Sequence, residues 1–109
     1  MKHTSTYSGV GWFAHSHSWR AFLKYRGKFA VIGYFKDQEV AAWATDFAKY
    51  LCHGLKPGLW HGKVGKPNGP PRIRLDYPRV LIIQKLLDLR LLTPDELTER
   101  LEQFDAVAI

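Results

Sequence analysis

Phe29-Ala30-Val31-Ile32-Gly33-Tyr34-Phe35-Lys36-Asp37-Gln38-Glu39-Val40-Ala41-Ala42-Trp43-Ala44 decides the fold, because a strand rhythm ends at Tyr34-Phe35 and a helix rhythm takes over. Downstream, Val40, Ala44, Phe47, Ala48 and Leu51 recur at helical spacing, and the alanines let the helix lie close to whatever it covers. Asp37 is the expected N-cap, since its carboxylate can accept from the free amides of the first turn, and Gly54 is the expected stop. Upstream, Phe29-Ala30-Val31-Ile32 follows Arg26-Gly27-Lys28, where Gly27 supplies the positive φ of a tight turn. Gly9-Val10-Gly11-Trp12-Phe13 and residues 19–25 are further strand-like runs, separated by the polar loop Ala14-His15-Ser16-His17-Ser18. The expectation is an α+β fold, a three-stranded antiparallel sheet packed on one helix.

The pattern Gly9-Val10, Trp19-Arg20-Ala21, Ile32-Gly33-Tyr34-Phe35 and Glu39-Val40-Ala41-Ala42 with Asp46 resembles the APETALA and ethylene-response-factor family of DNA-binding domains. It aligns without gaps to the compact form found beside phage and bacterial nucleases, over residues 5–54, about half of the chain. The resemblance implies DNA binding and transcription regulation by a sheet laid in the major groove, with outward strand residues reading bases and holding phosphates. By alternation Trp12, Trp19, Ala21, Leu23, Ala30 and Ile32 face the helix, while Gly11, Phe13, Arg20, Phe22, Lys24, Phe29 and Val31 face away. Arg20 and Lys24 keep the basic character that phosphate and guanine contacts require. Gly11, Phe13, Phe29 and Val31 stand where the family places polar readers, so phosphate contact with weak sequence readout is expected.

Three readings of this aromatic face compete. Its rings could stack on unpaired bases at roughly 1–3 kcal/mol each. Phe13, Phe22, Phe29 and Val31 could dock a protein, for example in a ribonucleoprotein or a phage-encoded inhibitor complex. Or the chain's own C-terminal half could fold over it. The helix carries a second stripe, Trp43, Phe47 and Tyr50, which also needs a cover. If the C-terminal helices pack there, the sheet face stays free.

Residues 55–78 have the Pro and Gly density of an irregular connector, and Lys56, Lys63, Lys66, Arg72 and Arg74 outweigh the lone Asp76. A basic arm over residues 63–74 can follow a phosphate backbone or simply wrap the domain in solvent. Leu59-Trp60 is expected to anchor on the core, and residues 72–77 alternate like an edge strand or extended arm. A C-terminal helical hairpin follows over residues 79–106. Val80, Ile83, Leu86 or Leu87 and Arg90-Leu91 follow the helical period. The next helix opens on a capping box, Thr93-Pro94-Asp95-Glu96, and has the stripe Leu97, Leu101 and Phe104. Five of the ten acids lie at or beyond Asp95, with Arg100 the only base there, so this last helix is expected to turn away from phosphates.

A 109-residue chain that is 46% hydrophobic can bury one modest core, and its formal charge of +6 favours a polyanionic partner. Cys52, the single cysteine, permits no intrachain disulfide, which fits a reducing compartment. The first six residues lack the apolar core of a secretory signal, and no run reaches membrane-spanning length. The expected location is intracellular, in cytoplasm, nucleoid or nucleus, with no membrane partner and the oligomeric state open. His15, His17, Cys52 and His53 do not have the spacing of a zinc framework. Residues 58–66 lack the glycine spacing and the Ser or Thr of a phosphate loop. No metal or cofactor is therefore expected. Catalysis is not expected either, because the acids sit at helix-surface or cap positions; a site built from His15, His17 and Asp46 is the competing possibility. The expected nucleic-acid contacts are Arg20, Lys24, His15, His17, Lys28, Lys63, Lys66, Arg72 and Arg74, with DNA preferred to RNA.

Overall fold

The computed structural model describes residues 6–60, 64–72 and 79–108. Three strands, β1 (Val10–Phe13), β2 (Ser18–Tyr25) and β3 (Lys28–Phe35), form an antiparallel sheet in sequence order. They precede the helix α1 (Gln38–His53), and α2 (Arg79–Asp88) and α3 (Pro94–Val107) follow. This is the α+β architecture that the strand-to-helix switch predicts.

Local chemistry sets each boundary. The β2–β3 turn has two central residues, Arg26 at φ 51° and Gly27 at φ 75°, the paired positive values of a primed hairpin turn. Arg26 holds this uncommon conformation while its guanidinium grips Glu96 of α3 (3.2 and 2.5 Å) and the Leu91 carbonyl (3.3 Å). At the start of α1 the Asp37 carboxylate accepts the Glu39 N–H (2.8 Å), and Gly54, at φ 100°, closes its end onto the Tyr50 carbonyl. Thr93 and Glu96 form the reciprocal capping box of α3.

The core lies between sheet and α1. Val10, Ala21, Leu23, Ala30 and Ile32 are buried on one side, Ala41, Ala44, Ala48 and Leu51 on the other. The alanines bring α1 so close that Thr45 donates to the Gly9 carbonyl (2.8 Å). A Cβ on Gly9, which sits at φ 75°, would lie 2.3 Å from Thr45 Cγ2.

One feature of β3 changes which side chains face outward. Phe22 pairs with Val31 but Ala21 pairs with Gly33, so Ile32 is the extra residue of a bulge. Ile32 is buried, and the inside-outside alternation is reset after it. Tyr34 therefore lies opposite outward-facing Arg20, and Phe35 opposite Trp19.

The C-terminal helices cover α1, not the outer sheet face. Phe104 meets Phe47 edge-on (centroids 5.0 Å apart) and leans on Tyr50 (6.3 Å). Arg79 lies over the Phe47 ring while gripping Asp105 (2.8 and 2.7 Å). Arg100 donates to the Leu51 and Cys52 carbonyls, both at 3.2 Å, at the end of α1. The stripe expected along α2 is shifted: Ile82 and Leu86 are buried, Val80 and Leu81 are exposed, and the helix ends at Asp88 before Arg90 turns left-handed. Leu59, expected as an anchor, is exposed, whereas its neighbour Trp60 donates to the Gly54 carbonyl (2.8 Å). Among the described residues no helix is long and apolar enough to cross a membrane.

Candidate functional site

The outer face of the sheet is organised around Arg20, the third residue of the central strand β2. Its guanidinium carbon lies 5.6 Å from the ring centroids of Phe13 and Phe22 and 5.8 Å from that of Phe29, so three rings bracket one cation. Phe22 packs on Phe29 (5.3 Å), and Phe13 on Tyr34 (5.2 Å), extending the aromatic surface to both sides. Gly11 lies beneath this packing, where a Cβ would meet the Phe22 ring at 3.5 Å, an ordinary contact. Phe29 and Tyr34 remain 52% and 49% exposed. None of the described residues of α2 or α3 covers Phe13, Phe22 or Phe29 in the contacts above.

The strands around Arg20 carry charge of one sign, while Asp88 and Lys85 of α2 border the β3 edge of the face beside Val31 and Tyr34. Residues 1–36 contain six lysines and arginines and no acid; all ten acids lie from Asp37 onward. Arg26 alone in the sheet is paired with a carboxylate among the described residues, through Glu96, whose carboxyl that guanidinium holds down at about 2. Arg20 Nε is buried without a hydrogen-bond partner. Its guanidinium is thus bracketed by apolar rings, with no carboxylate paired to it among the described residues.

Of the other predicted contacts, Lys24 and Lys28 are exposed, on β2 and at the start of β3. His15 and His17 are exposed in the β1–β2 loop, where Lys36 Nζ donates to the Ser16 and His17 carbonyls at 3.4 Å and fastens the loop to the end of β3. His15 also lies against Phe13 (5.7 Å), so this loop borders the aromatic face.

The connector is placed differently. The Asp46 carboxylate accepts the Asn68 backbone N–H (2.9 Å), the Asn68 side-chain amide (3.0 Å) and the Gly69 N–H (2.9 Å). Tyr50 donates to the Gly69 carbonyl (2.7 Å) and Trp43 to that of Arg72 (3.2 Å). Residues 68–72 are therefore fastened along α1, on the helix layer. Lys66 and Arg72 are exposed there, and the structure does not bring them together with Arg20. Lys63 and Arg74, and the edge strand expected over residues 72–77 apart from Arg72, lie outside the described residues.

Sequence reasoning missed two features. Tyr34 joins the outer face only through the bulge, for which Gly33 inside a strand is the available sign. The buried Asp46–Lys49 pair was passed over because Asp46 fitted the family pattern. Burial raises the Asp46 carboxyl against the pull of the Asn68 and Gly69 donors and Lys49, and burial lowers the Lys49 ammonium against the pull of Asp46. Among the described residues no three His, Cys, Asp or Glu side chains are grouped to hold a metal. Burial pushes the Cys52 thiol up to about 12, far from a reactive thiolate.

The chemistry on offer at the face is therefore recognition by stacking, by a forked cation and by mobile lysines. No protein family, curated protein or solved structure matches the chain.

Proposed function

We propose that the chain is a non-catalytic nucleic-acid-binding protein that holds a polynucleotide across the outer face of its sheet. The observation that carries this reading is Arg20: a guanidinium set among Phe13, Phe22 and Phe29, without a carboxylate partner among the described residues, on a sheet whose sequence contains no acid. Arg20 and Lys24 meet phosphates, whereas Lys28, paired with Tyr25, lies on the helix side of the sheet; the half-exposed rings of Phe29 and Tyr34 meet bases. Stacking of this kind tolerates any base, so sequence discrimination is weak and phosphate attraction supplies most of the affinity. DNA is preferred to RNA on the resemblance to the APETALA-type domains. A role in transcription regulation rests on the same resemblance.

The test is a titration of single-stranded and duplex DNA and RNA at two salt concentrations. Two phosphate contacts predict roughly a 7- to 12-fold loss of affinity between about 50 and 200 mM salt. Phe29→Ala weakens single-strand binding by roughly 1–3 kcal/mol with the salt slope unchanged. Absence of binding at low salt overturns the reading. It would leave the second one, a protein-interaction subunit, which the exposed rings of Phe29 and Tyr34 beside exposed Leu81 favour. On that reading Phe22→Ala abolishes association with a protein partner and salt matters little.

A further inference from the structure

β1 is shorter than the strand it pairs with, and this leaves a cleft. The last bond on that side of β2 runs from the Phe22 N–H to the Gly9 carbonyl (2.9 Å). Beyond it, no described strand covers the edge of β2 over residues 23–25. The edge borders a cleft of about 540 Å³, within the range of small-ligand sites. Phe22 and Phe29 of the outer face stand at one side, Lys49 and His53 of α1 at the other, and Ser8 and Val64 flank it.

Among the described residues, the formally charged side chains that line this cleft, Lys24, Arg26 and Lys49, are all cations. Lys49 is only 3% exposed, and its ammonium donates to Ser8 Oγ (3.0 Å), one acceptor for three N–H groups. His53 Nε2 is engaged with the Lys24 carbonyl (3.2 Å), and the Lys24 N–H points the same way along the open edge. Among the described residues no carboxylate lines the cleft. Asp46, the nearest acid on α1, has both oxygens occupied by Asn68 and Gly69. A buried ammonium in a walled cleft gains most from a compact, doubly charged anion, which a phosphate monoester is and the backbone diester of a nucleic acid is not.

We propose that the cleft receives the terminal phosphate monoester of a polynucleotide strand, with Lys49 taking the phosphate and Phe22 and Phe29 the terminal base. This rests on the reading of the outer face as a nucleic-acid surface, with which the cleft shares both rings. It makes the protein a reader of strand ends as well as of strand backbone.

The experiment compares one single-stranded DNA oligonucleotide with a 5′-phosphate, with a 3′-phosphate and with neither, using the whole chain at low salt. A phosphorylated end is expected to bind roughly tenfold more tightly than the unmodified strand. Lys49→Met and Val64→Trp, the latter filling the cleft from the connector side without removing the ammonium, each abolish that increment and leave the unmodified strand within about twofold. Since Lys49→Met removes a buried charge beside Asp46, thermal melts accompany both variants, and Val64→Trp stands alone if the first does not fold. Equal affinity for all three oligonucleotides overturns the cleft assignment alone. Retention of the increment in Val64→Trp does the same. No binding of any oligonucleotide overturns the parent reading with it. Deoxyadenosine 5′-monophosphate separates the two sources of a monoester: binding as tight as that of the phosphorylated strand shows a nucleotide site and overturns the strand-end assignment.

Discussion

Arg20 shows how a charge can be buried for use. Two other arginines are neutralised by a carboxylate, exposed Arg26 by Glu96 and half-buried Arg79 by Asp105. Arg20 has rings in that place, which fix the plane of its guanidinium but do not cancel its charge. Lysine would keep the charge and lose the fork. Arg20→Lys is therefore expected to weaken oligonucleotide binding about tenfold with the salt slope unchanged, whereas Arg20→Ala also flattens the slope by about 0.7–0.9. Anisotropy titrations over a salt series check both, and an unchanged affinity in Arg20→Lys would remove the fork from the account. That Arg20 faces outward was legible from strand alternation. That three phenylalanines gather round it was not, since Phe13, Phe22 and Phe29 belong to three strands and meet only once the register is set.

At the scale of elements, short-range chemistry and the antiparallel order of the strands were legible, and the exact register was not. The caps at Asp37 and Thr93 and the stop at Gly54 each depend on atoms a few residues apart, so the sequence displays them whole. The bulge at Ile32 depends on how β2 pairs, and the burial of Ile82 in place of Val80 depends on where α2 meets the sheet and α1. The connector is the clearest case. Its Pro and Gly content predicts irregular backbone, yet Asn68 forms a bracket: its amide bonds the Ser8 carbonyl and Asp46, and its Oδ1 accepts the Ser8 N–H (2.8 Å). One side chain thus ties the approach to β1, the connector and α1 together. Asn68→Ala is expected to destabilise the fold by about 0.5–1.5 kcal/mol, because the exposed Ser8 N–H and C=O lose their partner while Asp46 keeps the backbone N–H of residue 68. Hydrogen exchange should speed first at residues 64–72 and leave the β2–β3 ladder protected. Uniform loss of protection would mean that the bracket is not a separate unit.

At the scale of the whole molecule, the sheet is the cationic pole and α3 the acidic one, and the Arg26–Glu96 pair is the tie between them. That tie persists in acid, because Glu96 is held down at about 2 and loses its contribution only as pH falls toward that value. His53 responds earlier. Burial lowers its pKa despite the Lys24 carbonyl, so its contribution is complete above the ordinary value of 6.5 and is lost as pH falls through the lowered one. The wild-type Tm should therefore drop more than that of His53→Gln between about pH 7.5 and 5; both keep Asp46, whose raised carboxyl favours the folded state in acid, so that opposite trend drops out of the comparison. Polarity also separates two explanations of binding that net charge confuses. Lys24→Glu places an acid on the acid-free sheet, and Glu99→Lys adds a base on the exposed side of α3; together they restore the net charge of +6. Salt screens charges beyond about 8–10 Å, so a lysine on α3 does not replace one on β2. The double variant should bind oligonucleotide as poorly as Lys24→Glu alone, since the like charge at the face remains. Recovery of wild-type affinity would show that diffuse positive charge, and not the Arg20 face, attracts the polyanion.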